Sequence, residues 1–187
     1  MLTLKRVLYA ISAAAIVLVA GSFLLPAEAV VSRSIAIAAP PERVFAIVGD
    51  LRNFNAFSPS AQIDPDIRYA FEGTESGIGQ KMVWQSDNVE VGTGAQTITL
   101  YEPPGRVEFR VISGRRDRSN TAFELAASDV GTDVTWTFRT SLKGIPARWS
   151  GLLFEGRVGP EYEAALARLK AIAERPEQGA DPASPAP

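Results

Sequence analysis

The sequence predicts an α+β protein: a curved, antiparallel seven-stranded sheet wrapped on one long C-terminal helix, preceded by an N-terminal transmembrane helix. Three observations carry this. Apolar residues recur at period two through much of residues 31–142, the sign of half-buried strands. They change to helical spacing over residues 160–174. At the other end, 21 of the first 29 residues are apolar, well above the 46% of the whole chain.

Lys5 and Arg6 precede an uncharged run, Val7 to Leu25. As a helix it would rise about 28 Å, close to the roughly 30 Å hydrocarbon core of a bilayer. It lacks the polar face of a helix packed in a small domain. Two readings stay open: a retained signal anchor, or a signal peptide cut at the small-x-small site Ala27-Glu28-Ala29. The run exceeds the usual apolar region of a signal peptide, which favours the anchor. Either way the basic residues hold the N-terminus inside and the domain is exported. The expected location is the membrane, single-pass, with the C-terminal domain outside the cytoplasm (the periplasmic face in a bacterium); cleavage near Ala29 would instead secrete it. The expected division is an anchor or signal segment at 1–29, a ligand-binding domain at 30–175 and a disordered tail at 176–187, where no large apolar residue occurs.

Within the domain, Val31, Arg33, Ile35 and Ile37 alternate with Ser32, Ser34 and Ala36 as a strand, which Pro40-Pro41 ends. Glu42 to Gly49 reads as a short helix with Pro41 in its first turn. A helical turn at Leu51–Phe54 and a turn region at Asn55–Pro59 follow. Six strands are then expected at Ile67–Glu72, Gln80–Ser86, Gly94–Glu102, Arg106–Ser113, Thr121–Ala127 and Asp133–Leu142, between turns rich in Gly, Pro and Asp. Val107, Phe109 and Val111 oppose Glu108 and Arg110, so one face is apolar and the other solvated. The last helix, Pro160 to Glu174, carries a stripe of Tyr162, Ala165, Leu166, Leu169, Ile172 and Ala173, with Pro160 expected in its first turn. One helix about 10 Å wide cannot cover seven strands. Either the sheet curls around it or a space remains, and that space is the natural ligand site.

Composition narrows the chemistry. Without His or Cys there is no Ser-His-Asp or Cys-His nucleophile, no His-ligated zinc, no disulfide and no iron-sulfur cluster. A net charge of -2 argues against a nucleic-acid partner. A monomer without cofactor or metal is expected. The candidate ligand-binding residues are Phe71, Trp84, Phe109, Trp136 and Phe138 on strands, Trp149 before the last helix and Tyr162 on it, as the lining of an apolar site. Core filling is the competing role for each. Trp84 and Trp136 lead, and Trp149, between Gly144 and Gly151, suits a mouth or lid. Tyr69 and Tyr101 are further donors to a ligand carbonyl. Asp64-Pro65-Asp66 offers too few oxygens for calcium. Glu108, Arg110, Glu124 and Arg139 read as pairs on the solvated face, and Arg115, Arg116 and Arg118 as a basic hairpin tip suited to anionic headgroups.

The order of elements, with Ser34-Ile-Ala-Ile-Ala-Ala-Pro-Pro-Glu-Arg-Val-Phe45, Asp50-Leu-Arg-Asn-Phe54, Met82-Val-Trp84, Thr132-Asp-Val-Thr-Trp136 and Leu166 with Leu169-Lys170, resembles the START-like helix-grip superfamily, in particular its polyketide cyclase/dehydrase-type (SRPBCC) branch. The likeness spans Val31 to Glu174. It implies the helix-grip fold and a hydrophobic cavity for lipids, sterols, polyketides or other apolar molecules. Such families include carriers, sensors and cyclases, so the fold leaves function open. Catalytic relatives often use polar or titratable cavity residues, and no such set is recognisable here. The leading expectation is therefore a membrane-anchored, exported domain for hydrophobic ligand or lipid binding. A polyketide cyclase/dehydratase-like enzyme and a non-catalytic interaction scaffold are the alternatives.

Overall fold

Most of the uncharged N-terminal run, with Lys5 and Arg6 before it, forms helix α1 (Leu2–Ser22), exposed over residues 4–20 in the computed structural model, which describes residues 2–114 and 116–176. Its 21 residues rise about 32 Å. The helix stops at Ser22 rather than Leu25. There the Ser22 hydroxyl donates to the Val19 carbonyl at 2.6 Å. The amides of Phe23, Leu24 and Leu25 turn back on Ala20, Gly21 and Ser22, tightening the last turn before Pro26.

Period-two alternation then carries the chain into β1 (Glu28–Ile37), three residues earlier than expected, since Glu28 and Ala29 pair with Ser141 and Thr140. Pro41 opens α2 (Pro41–Val48), whose Val44, Phe45 and Val48 turn inward. A 3-10 helix (Leu51–Ala56) follows, capped where the Asp50 carboxylate accepts from the Arg52 amide. The expected turn after it is partly helical. Ser58 accepts from the Ala61 amide and Pro59 occupies the first position of α3 (Pro59–Ile63), a sufficient start signal for one turn.

The strands are β2 (Arg68–Glu72), β3 (Lys81–Gln85), β4 (Thr93–Glu102), β5 (Arg106–Ser113), β6 (Arg116–Ser128) and β7 (Gly131–Ser141). All pair antiparallel in one sheet of order β1-β7-β6-β5-β4-β3-β2. Register shifts between Ile98 and Leu100 and between Val111 and Ser113 bend it, as bulges do. β6 begins five residues before the expected Thr121. The basic tip lies outside what is described: Arg115 altogether, and the side chains of Arg116 and Arg118.

Two departures concern the end of the chain. A helix, α4 (Ile145–Gly151), forms where none was expected, with Pro146 in its first turn. The last helix, α5 (Phe154–Ala173), starts six residues before Pro160, which therefore sits inside it. Proline in a helix lacks one donor and crowds the carbonyl four residues back, at roughly 3 kcal/mol. Packing and ion pairing offset that here. Phe154 and Val158 pack against the core, and the Arg33 guanidinium on β1 donates to Glu163 at 2.7 Å and Glu155 at 3.3 Å, one on each side of the proline. Gly159 leaves the room, since a Cβ there would lie 2.2 Å from Arg33 Nη2.

α2 and the C-terminal half of α5 fill one half of the concave face, with Ile37, Val44, Val48, Leu125, Val134, Leu166 and Leu169 buried among them. Lys170 and Glu174 fasten α5 there, bonding to the Ala36 carbonyl and the Ala38 amide at 2.7 Å each. The opposite face carries the pairs of Arg106 with Glu108 and Glu124. The helix-grip architecture expected from the sequence is the architecture found.

Candidate functional site

The other half of the concave face is not filled. A cavity of about 230 Å³ lies between the sheet and the N-terminal half of α5. Phe154, Val158, Glu161 and Tyr162 roof it, Phe54 and Ser58 to Ser60 close one side, and β2 to β7 form the floor. Its position follows from the strand ends. The floor residues Tyr69, Trp84, Gln96, Val111, Ser113, Ser119, Thr121, Trp136 and Phe138 all lie toward the sheet end where Glu28 meets Ser141.

Trp136 is the centre of the wall. Its ring stacks on Phe123 at 4.7 Å, lies 4.2 Å from the Tyr162 ring and meets the edge of Phe54 at 6.1 Å, measured between centroids. Such contacts add to the burial energy of the rings. Trp136 Nε1 donates to the Thr121 hydroxyl at 2.6 Å, and Thr121 donates in turn to the Thr137 carbonyl at 3.1 Å. That chain fixes the indole and satisfies its one polar atom.

Trp84 is placed differently. It faces Gly94 across β3 and β4, and a Cβ at Gly94 would sit 2.3 Å from Trp84 Cζ2. Glycine there lets the indole lie flat against the next strand. Tyr69 is its register partner on β2, and Gln96 is diagonal to it on β4. These three neighbours share a property. Tyr69 Oη, Trp84 Nε1 and Gln96 Nε2 are buried polar atoms with no hydrogen-bond partner among the described residues. Each such atom costs about 1–3 kcal/mol. Burial raises the Tyr69 hydroxyl above its ordinary pKa; Ser58 nearby tempers the effect without reaching hydrogen-bond geometry, and the Asp64 charge adds to it. Burial also pushes the Tyr162 hydroxyl well up, with the Glu161 charge acting in the same direction. Both phenols hold their protons at neutral pH and remain donors.

Of the seven aromatic candidates, the structure brings Trp84, Trp136, Phe138 and Tyr162 together around the cavity. It places three elsewhere. Phe109 is fully buried behind the wall, against Phe123 and Phe54. Phe71 is 43% exposed at the far end of edge strand β2, under the Arg52 guanidinium. Trp149 sits on α4 against α1, its indole donating to the Leu18 carbonyl at 3.2 Å. Gln96 is not among the sequence candidates, although β4 places it on the same face as the core residue Ile98, and a polar residue on an apolar face is a readable signal.

The arrangement defines a cavity protein of helix-grip type. Residues 28–174 match the family described as polyketide cyclase / dehydrase and lipid transport, and the chain belongs to that family. No curated protein matches it in sequence. Solved structures share the fold at low identity. Protein CV1439 from Chromobacterium violaceum is 17% identical with a TM-score of 0.58, over 79% of this chain and 99% of that one. A Staphylococcus aureus protein of unknown function, SA2116, is 11% identical with a TM-score of 0.62, over 79% and 94%. The di-domain ARO/CYC StfQ of the steffimycin biosynthetic pathway is 11% identical with a TM-score of 0.60, over 79% of this chain and 51% of that protein.

Proposed function

We propose that this chain is a membrane-anchored, exported domain that holds a hydrophobic small molecule or one end of a lipid in the cavity beneath α5. The carrying observation is that cavity, where aromatic and aliphatic side chains stand beside a polar minority of four serines, Thr121, Gln96 and Glu161, a mixture suited to holding and orienting a small molecule. At about 230 Å³ it is slightly below the roughly 300–1,000 Å³ usual for such sites, which suits a compact apolar molecule or a single chain of a larger one. Trp84, Trp136, Phe138 and Tyr162 would contact it. The unpaired donors of Tyr69, Trp84 and Gln96 favour a ligand that also carries an acceptor oxygen.

The anchor reading is supported by the strand that follows it. Cleavage after Ala29 would strip Glu28 and Ala29 from β1. Retention is therefore proposed for the segment at 1–29, whose last two residues already pair in β1 of the binding domain at 30–175; the expected tail, but for its first residue, lies outside the described residues.

Native mass spectrometry of the full chain, extracted in mild detergent, should show a bound apolar molecule. An anthroyloxy-labelled fatty acid should bind and be displaced by it, and Gln96→Leu should weaken acceptor-bearing competitors by about tenfold while leaving plain hydrocarbons unchanged. An empty protein that takes up no probe would refute the reading. A cyclase-like activity is the second reading, because Tyr69, Gln96 and Glu161 make the cavity less than wholly apolar. Turnover of a poly-ketone substrate that is lost in Tyr69→Phe with binding retained would favour it.

A further inference from the structure

The corner between α4 and α5 is apolar and unburied. Leu152 is 57% exposed and Leu153 76%, and Phe23 and Leu24, where α1 ends, are 73% and 90% exposed. Large apolar side chains exposed together near one corner of a domain mark an interaction surface. Two contacts tie the corner to α1. Arg148 donates to the Ser22 carbonyl at 3.0 Å with its guanidinium over the Phe23 ring, and Trp149 donates to the Leu18 carbonyl at 3.2 Å with its ring against Gly21. Arginine at the final carbonyls and tryptophan a turn below are the residues that settle at a bilayer's headgroup boundary. Phe154 and Val158, immediately after the corner, roof the cavity, and every floor residue lies toward the same end of the sheet.

We propose that Trp149, Leu152 and Leu153, with Phe23 and Leu24, form an interfacial docking surface that seats the domain on the bilayer holding α1. The cavity then faces that bilayer, and its ligand exchanges with the membrane rather than with bulk water. The occupant of the surface is the acyl–headgroup boundary of the lipid. This rests on the retained-anchor reading above.

The chain contains no Cys, so single labels are unambiguous. Leu153→Cys, Val130→Cys and Ile11→Cys would each be labelled with NBD in the full chain, reconstituted into phosphatidylcholine–phosphatidylglycerol vesicles. Val130, 62% exposed in the turn between β6 and β7, lies at the opposite end of the sheet. The label at 153 should be blue-shifted and quenched by shallow doxyl lipids, that at 130 should behave as in water, and that at 11 should be quenched by deep doxyl lipids. A label at 153 that matches 130, while 11 is quenched deeply, overturns the docking surface and leaves the anchor standing. A label at 11 that is not quenched removes the anchor and the inference together. Transfer of an anthroyloxy fatty acid from vesicles should also slow about tenfold in Leu152→Glu/Leu153→Glu, with its equilibrium affinity unchanged. Equal transfer rates overturn exchange through the bilayer.

Discussion

At the scale of single residues, space decides more than chemistry does. Trp84 serves as cavity wall only because Gly94 leaves its ring a flat seat; the sequence offers Trp84 as a candidate but says nothing of the seat. Gly94→Ala would drive a methyl into the indole and also to 2.5 Å from the Ile112 carbonyl. Overpacking of this kind costs about 1–3 kcal/mol. The expected result is a melting temperature lowered by several degrees and fatty-acid probe affinity reduced about tenfold, read by calorimetry and probe titration. An unchanged melting curve would show that Trp84 has other room. Gln96 teaches the complementary point. Its inward orientation is legible from the parity of β4, but its missing partner becomes visible only when β3 and the helices close around it.

At the scale of elements, α5 is held by polar fastenings over an apolar base. Arg168 donates to the Phe57 and Ser58 carbonyls, at 3.0 and 3.3 Å from Nη2, and so fixes the segment that closes one side of the cavity. At its C-terminal end, the Glu174 carboxylate is held below its ordinary pKa of 4.5, first by the Ala38 amide and then by Lys170 at 3.3 Å. A depressed carboxylate contributes stability above the unfolded-state value and loses it as pH falls through the folded-state value. Glu174→Gln should therefore unfold more readily than the parent at neutral pH, with the difference closing as the solution is acidified below about pH 4.5. Urea midpoints measured from pH 3 to 7 would check this, and a gap independent of pH would assign the effect to something other than the charge. The start of α5 is not legible in the sequence for a simple reason: Pro160 is a good first-turn residue, and only the tertiary contacts of Phe154, Val158 and Arg33 make the preceding turn worth forming.

At the scale of the whole molecule, the N-terminal segment and the domain belong together. α1 meets α4, and β1 begins at Glu28, so few residues separate the apolar helix from the sheet. The protein purified from its native membrane should have a mass that includes residues 1–29, and N-terminal sequencing that starts after Ala29 would overturn retention.

The alternation of Val31 to Ile37 and of Val107 to Val111, the stripe from Tyr162 to Ala173 and the uncharged run before Leu25 determined the fold class. Each records the environment of one element by itself, in residues next to one another in the chain. The cavity is another matter. Trp136, Phe109 and Phe71 are indistinguishable as inward aromatics on strands, yet one lines the space, one is sealed behind it and one is left in solvent. Which is which depends on where the bulges curl the sheet and how far α2 and α5 fill its concave face. Those are sums over many distant contacts, and only the tertiary structure decided them.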